Sequence, residues 1–189
     1  KAYDSKVREM RGVYYTPVEV VQAQVRLVGH LLDHKFNADF SFTSTEPRVV
    51  TLDPAVGTGT YITAALEHAL DQVEAIKGAG VRAGRATQAA RNMYGFELLV
   101  GPYAVAHMRF TRQVEAEGGT LPQDGTHVYL TDTLESPHET TQRAFPFAYR
   151  ALATEHEKAR KVKAEVPVLV CIGNPPYDRQ QIRPEEEDH

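Results

Sequence analysis

Short apolar runs that stop at an acid or an amide constrain this chain more than any other feature. Arg48-Val49-Val50-Thr51-Leu52 halts at Asp53-Pro54, Met93-Tyr94-Gly95-Phe96 at Glu97, His127-Val128-Tyr129-Leu130-Thr131 at Asp132, and Val166 to Ile172 at Gly173-Asn174. Runs this short and β-branched read as buried strands. Between them lie segments of helical spacing: Ile62, Leu66, Ala69, Leu70, Val73 and Ile76 across residues 61–77, then 85–92, 102–117 and the charged stretch 139–165. Strands alternating with helices predict an α/β fold, a mainly parallel sheet with helices on both faces, with ligands bound at the carboxyl ends of the strands. Asp53, Glu97, Asp132 and Asn174 all fall at such ends.

Upstream, Thr16-Pro17-Val18-Glu19 has the form of a capping box with proline at the first helical position. Val21, Val25, Val28 and Leu32 behind it predict a helix to about His34, with Ser41 to Thr45 as loop. The chain divides into an N-terminal helical segment, 1–47, and a ligand-binding core, 48–189. At 189 residues and 42% hydrophobic, it is sized for one globular domain. Its net charge of −4 excludes a global positive field for nucleic acid, so phosphate contacts belong to a local patch or lie elsewhere. Lone Cys171 excludes a disulfide framework and a thiolate metal cluster, suits a reducing cytoplasm, and sits in an apolar run as inert core. No apolar run reaches the roughly 20 residues of a membrane span. His30 and His34 have i, i+4 spacing, but the residue after the first is Leu31 rather than a glutamate and no third ligand accompanies them, so no metal is expected. Lys158, Arg160, Lys161 and Lys163 read as a solvated face laced with Glu155, Glu157 and Glu165, with phosphate contact as the alternative. Tyr14 and Tyr15 read either as staple or core residues on the first helix or as part of the site.

Asp53-Pro54-Ala55-Val56-Gly57-Thr58-Gly59 is a glycine turn between strand and helix, where bare backbone lets a ligand approach a helix N-terminus. The third glycine of a dinucleotide loop is replaced by Ile62, and no Gly-Lys-Ser/Thr of a phosphate loop is present. An acid before the loop suits a cationic or amino-bearing ligand better than a pyrophosphate. Glu97, closing the next strand, stands where a carboxylate accepts ribose hydroxyls. In Asn174-Pro175-Pro176-Tyr177 two prolines remove two donors and lock the backbone, leaving an acceptor-rich corner beside an aromatic face. Such a corner suits a planar ligand bearing an amino group.

With Gly12-Val13-Tyr14-Tyr15-Thr16-Pro17 ahead of them, these motifs resemble the S-adenosylmethionine-dependent DNA adenine-N6 methyltransferases of restriction-modification systems. The resemblance implies a Rossmann-like class I methyltransferase fold. It places S-adenosyl-L-methionine against Tyr15, Thr16 and Pro17 of the opening motif and Asp53, Pro54, Ala55, Gly57, Thr58 and Gly59 of the loop. Glu97 and Leu98 would follow at the ribose, and Asp132 and Thr133 at the cofactor's adenine. Asn174, Pro175, Pro176 and Tyr177 would form the catalytic corner. There the Asn174 oxygen and the Pro175 carbonyl accept from the exocyclic amine of a flipped adenine, and Tyr177 stacks on the base. The context looks most like the type ISP enzymes, which join nuclease, helicase-type ATPase, methyltransferase and recognition domains in one chain. Combined nuclease-methyltransferases without the helicase are close behind. The chain reaches only His189 beyond this corner. The expectation is a sheet incomplete on its C-terminal side, an exposed last strand, and double-stranded DNA gripped through a recognition domain outside it. The same fold acting on protein glutamine or ribosomal RNA guanine, and a non-catalytic cofactor-binding fragment, remain the alternatives.

Overall fold

A computed structural model of the chain describes residues 16–137 and 150–176. Its elements run α1 (Val18–Phe36), β1 (Thr51–Asp53), α2 (Thr60–Lys77), α3 (Arg82–Asn92), β2 (Met93–Glu97), α4 (Val100–Ala116), β3 (His127–Leu130), α5 (Arg150–Glu165) and β4 (Val170–Cys171), with short 3-10 turns at Ser41–Thr43 and Ala79–Val81. The strands form one parallel sheet in the order β3-β2-β1-β4. From β1 the chain steps outward to β2 and β3, then returns to the other side of β1 for β4. The strand order therefore reverses between β1 and β4, which is where an open parallel sheet leaves a crevice at its carboxyl edge.

Side chains alternate between the two faces. Val49, Met93, Val128 and Val170 pack on one side with Val21, Val25 and Leu32 of α1, Ile62, Leu66 and Leu70 of α2, Ala86, Ala89 and Ala90 of α3, and Phe110 and Val114 of α4. Val50, Tyr94, Phe96 and Tyr129 meet Ala159 and Val162 of α5 on the other. Helices thus cover both faces, as the alternating pattern predicts. The described part of the first 47 residues shares its core with the sheet.

Several sequence expectations shift. The capping box does not form: Pro17 itself occupies the cap position of α1, no side chain caps it, and Val20 and Val21 donate to the Pro17 carbonyl at 3.1 and 3.2 Å. Thr16 has another partner, described below. The expected loop at Ser41 to Thr45 instead includes a buried 3-10 turn whose Phe42 has no exposure and meets His68 of α2 edge-on. Its polar composition hides that role, because a single buried aromatic has no periodicity to detect. The first strand begins at Thr51 because Val49 donates to Ser44 of the preceding turn. The last strand shrinks to Val170–Cys171 because Leu169 and Val170 both reach the Val50 carbonyl and Pro167 has no N–H to extend the ladder. It lies at the sheet edge among the described strands, which leaves the Cys171 side chain exposed rather than buried. Helix α3 starts at Arg82, three residues earlier than expected. The part of the charged stretch at 139–149 lies outside the described residues.

Gly95 decides how closely the glycine loop lies on the sheet. A Cβ there would stand 2.9 Å from Val56 Cγ2 and 3.0 Å from its Cβ. Gly95→Ala is expected to cost about 1–3 kcal/mol of stability through overpacking, read as a lowered midpoint of denaturant unfolding at unchanged slope.

Candidate functional site at the carboxyl edge of the sheet

The site begins at the end of β1, where the sheet reverses. Asp53 is fully buried, its Oδ1 accepts the Ala55 N–H at 3.1 Å, and its Oδ2 has no partner. Burial pushes its carboxyl up to about 7, with Glu97 adding repulsion and the Ala55 N–H drawing it back. Gly173, just after β4, lies against this carboxylate: a Cβ there would come 2.3 Å from Asp53 Oδ1. The residue before Asn174 therefore has to be glycine, a requirement the sequence reading did not draw.

The loop after Asp53 is held by backbone and carboxylate. Val56 donates to the Phe96 carbonyl at 2.8 Å, and Gly57, at φ 54°, donates to Glu97 Oε2 at 2.9 Å. Glu97 Oε1 accepts from Leu98 and Leu99 at 2.9 and 2.8 Å. One carboxylate thus carries three backbone donors, joins two loops and keeps lone-pair capacity for a further donor. Gly59, at φ 84°, opens α2, and a Cβ there would press on the Ala106 backbone of α4 at 3.3 Å. No side chain caps the start of α2. Arg109 of α4 ties down the Thr58 carbonyl at 2.8 Å, a brace that no motif announces.

The edge continues past β3. Asp132 lies two residues beyond the strand end and accepts from the Leu134 N–H at 2.9 Å. The Thr133 hydroxyl donates to the Pro54 carbonyl, so it braces one loop against the other. Lys163 of α5 reaches the Asp132 and Glu135 carbonyls at 2.6 and 2.9 Å. The exposed Arg160–Glu157 pair fits the expected solvated face, whereas Lys158 pairs with Asp124 and Lys163 turns to the loop after β3. Leu98 and Leu134 stand exposed after adjacent strands; Leu134, at 92% exposure, is a residue the sequence reading passed over.

At the far side, Asn174 Nδ2 donates to Thr16 Oγ1 at 2.9 Å. Asp53, Gly57, Gly59, Glu97, Asp132 and Asn174 thus lie at or just beyond the carboxyl ends of the strands, with Thr16 joined to them through Asn174. Pro17 starts α1, and Pro175 and Pro176 are exposed. Tyr15 and Tyr177 lie outside the described residues. Among the described residues no group of three or more His, Cys, Asp or Glu side chains could hold a metal, and no helix is long and apolar enough to cross a membrane.

The family profile described as N-6 DNA Methylase matches residues 1–189. The chain belongs to that family. Its fold is similar to a nuclease-deletion mutant of the type ISP restriction-modification enzyme LlaGI in complex with a DNA substrate mimic, with 27% identity and a TM-score of 0.68 over 88% of this chain. It is also similar to the ATP-dependent type ISP enzyme LlaBIII bound to DNA, with 29% identity and a TM-score of 0.70 over 90%. The DrdV–DNA complex, at 24% identity and a TM-score of 0.64 over 93%, shares the fold. The chain spans only 13%, 11% and 15% of the lengths of those three chains, respectively. A comparison with curated proteins gave no match.

Asp53 is held neutral more readily than an ordinary aspartate. A carboxyl whose folded pKa is raised binds more protons folded than unfolded, so its contribution favours the fold below about pH 4 and is lost as pH rises through about 7. Asp53→Asn is expected to stabilise the ligand-free chain above pH 7 by an amount on the order of 2–4 kcal/mol and to flatten its stability between pH 4 and 7. Thermal unfolding of both proteins across that range measures it.

Proposed function

We propose that this methylase transfers a methyl group from S-adenosyl-L-methionine to the N6 amine of an adenine in DNA. The observation that carries the reading is the buried Asp53 carboxylate, one oxygen unpartnered, next to the Gly173-Asn174 corner. A buried carboxylate oxygen without a partner is costly unless something cationic or donating completes it, and the cofactor's ammonium is such a group. Glu97, already organised by three N–H donors, has acceptor capacity left for ribose hydroxyls. The uncapped start of α2 behind Gly57 and Gly59 suits the cofactor's carboxylate. Leu98 and Leu134 offer apolar faces, and Asp132 an acceptor, for its adenine. Thr58 and Thr133 support the loops around it. On this reading residues 48–189 form the cofactor-binding core and residues 1–47 bring Tyr15, Thr16 and Pro17 to its mouth.

When bound, S-adenosylmethionine supplies a methyl group on a sulfonium, whose carbon–sulfur bond breaks with the electron pair retained by sulfur. The chain's own residues have to make an aromatic amine nucleophilic. Asn174 Oδ1 and the Pro175 carbonyl accept from the two N–H groups of that amine, which draws its lone pair out of conjugation and aims it. Tyr177 stacks on the extruded base, whose removal from the duplex costs a few kcal/mol. The departing proton passes to solvent, and no strong general base is required.

DNA as substrate is supported by the neighbours LlaGI and LlaBIII, which carry a DNA substrate mimic and DNA. We assign most phosphate contacts and sequence recognition to domains outside this chain, together with any nuclease and helicase-type motor, because the net charge of −4 gives it no global positive field. A cytoplasmic location belongs to the same proposal.

Calorimetric titration with S-adenosylmethionine is expected to give saturable binding that Asp53→Ala abolishes. An ammonium beside Asp53 favours the charged carboxylate, so binding at pH 6 should release a proton and affinity should rise as pH increases through about 7. Titrations at pH 6 in buffers of different ionisation enthalpy, repeated with Asp53→Asn, measure that proton. Methyl transfer from labelled cofactor to unmethylated DNA, release factor or stripped ribosomes separates the substrates, and transfer only to protein or ribosomal RNA would overturn the assignment to adenine. Asn174→Ala in the whole enzyme should abolish transfer with cofactor affinity intact. Glu97→Ala should weaken cofactor binding and also lower stability by about 1–3 kcal/mol, because it frees three backbone donors.

A further inference from the structure

We propose that Thr16 is a positioning residue for methyl transfer, its hydroxyl holding the Asn174 side-chain amide so that Oδ1 is the atom left to meet the exocyclic amine. The inference rests on the reading of Asn174 as acceptor of that amine. The contact joins residues 158 positions apart in sequence: Asn174 Nδ2 donates to Thr16 Oγ1 at 2.9 Å.

Asn174 needs such a partner. The prolines after it lock the backbone but not its χ torsions, and χ2 of asparagine is a broad, roughly two-fold torsion. Half a turn about χ2 exchanges oxygen for NH2 and sets donors against the donors of the substrate amine. In the structure Nδ2 rests on Thr16 Oγ1, which leaves Oδ1 to accept; a hydroxyl both donates and accepts, so the contact fixes the position of the amide, and the two donors of the substrate amine select the orientation with oxygen outward.

Thr16 is well placed to impose this geometry. Being followed by proline, it is biased towards extended backbone. Pro17 takes the N–H groups of Val20 and Val21, so Thr16 is fixed to the first turn of a helix whose Val21 and Val25 are buried in the core. Its sequence context, Thr-Pro-Val-Glu, is that of a helix cap, yet no side chain caps α1. The hydroxyl that could have bonded to its own helix is directed to Asn174 instead. The opening motif thereby acts on the catalytic corner through a side chain and not only by covering the cofactor.

Thr16→Val keeps the shape and removes the hydroxyl, whereas Thr16→Ser keeps the hydroxyl. In the whole enzyme, with saturating cofactor and DNA, Thr16→Val is expected to slow single-turnover transfer by about 10-fold or more. Thr16→Val keeps the side-chain volume beside the cofactor and removes only the hydroxyl that Asn174 engages, so its cofactor Kd by calorimetry should change much less than its transfer rate, and Thr16→Ser should transfer within about 3-fold of the parent rate. Two results would overturn the proposal: a parental single-turnover rate in Thr16→Val while Asn174→Ala is inactive, or a loss of cofactor affinity in Thr16→Val that matches its loss of rate, which would make Thr16 a cofactor contact. Parental transfer by Asn174→Ala would remove the underlying reading of Asn174, and the proposal with it.

Discussion

The glycine loop has almost no side chains with which to hold itself, and the Glu97 carboxylate does it instead. By accepting from Gly57 on one side and from Leu98 and Leu99 on the other, it fastens the turn after β1 to the turn after β2. The Val56 N–H to Phe96 carbonyl bond and the missing Cβ of Gly95 let the loop sit directly on the sheet. Arg109 and Thr133 complete the frame from α4 and from the turn after β3. Loops joined in this way lose little further freedom when a ligand arrives, which is how a preorganised site gains affinity. A single carboxylate therefore links the geometry of the fold to that of the proposed ribose contact.

Inside that frame sits a group the ligand-free fold does not satisfy. Asp53 is buried with one oxygen unpartnered, at the point where the strand order reverses. Other buried polar atoms among the described residues, such as Thr51 Oγ1 and Asn92 Nδ2, also lack partners, but Asp53 alone among them is a carboxylate, and failures of this kind concentrate at functional positions. The carboxyl rises to about 7 because burial excludes solvent, with repulsion from Glu97 adding to it. A cationic group beside it would draw the carboxyl back down.

Much of this was legible beforehand, and what was not has identifiable causes. The second strand and the helices α2 and α4 follow from periodicity, because one-sided burial writes its period into the sequence. The glycine turn and the Asn-Pro-Pro corner were legible because the backbone conformations they need admit few residue types. Phe42, Gly173 and Arg109 were not, since each matters through one contact with a residue distant in sequence. Cys171 was misplaced for a related reason: an apolar run shows that a segment can be buried, not whether another strand covers it.

The sequence alone therefore determined the α/β class, the order of its elements and the polar residues that terminate the strands, all of which depend on neighbours within a few positions. Only the tertiary structure decided which of those residues share an edge and what each atom is doing there. Thr16 shows the difference most clearly. Its local pattern calls for a helix cap, and a partner 158 residues away takes its hydroxyl. Local propensity is worth about 1 kcal/mol at such a position, and a hydrogen bond of comparable strength made across the fold is enough to redirect it.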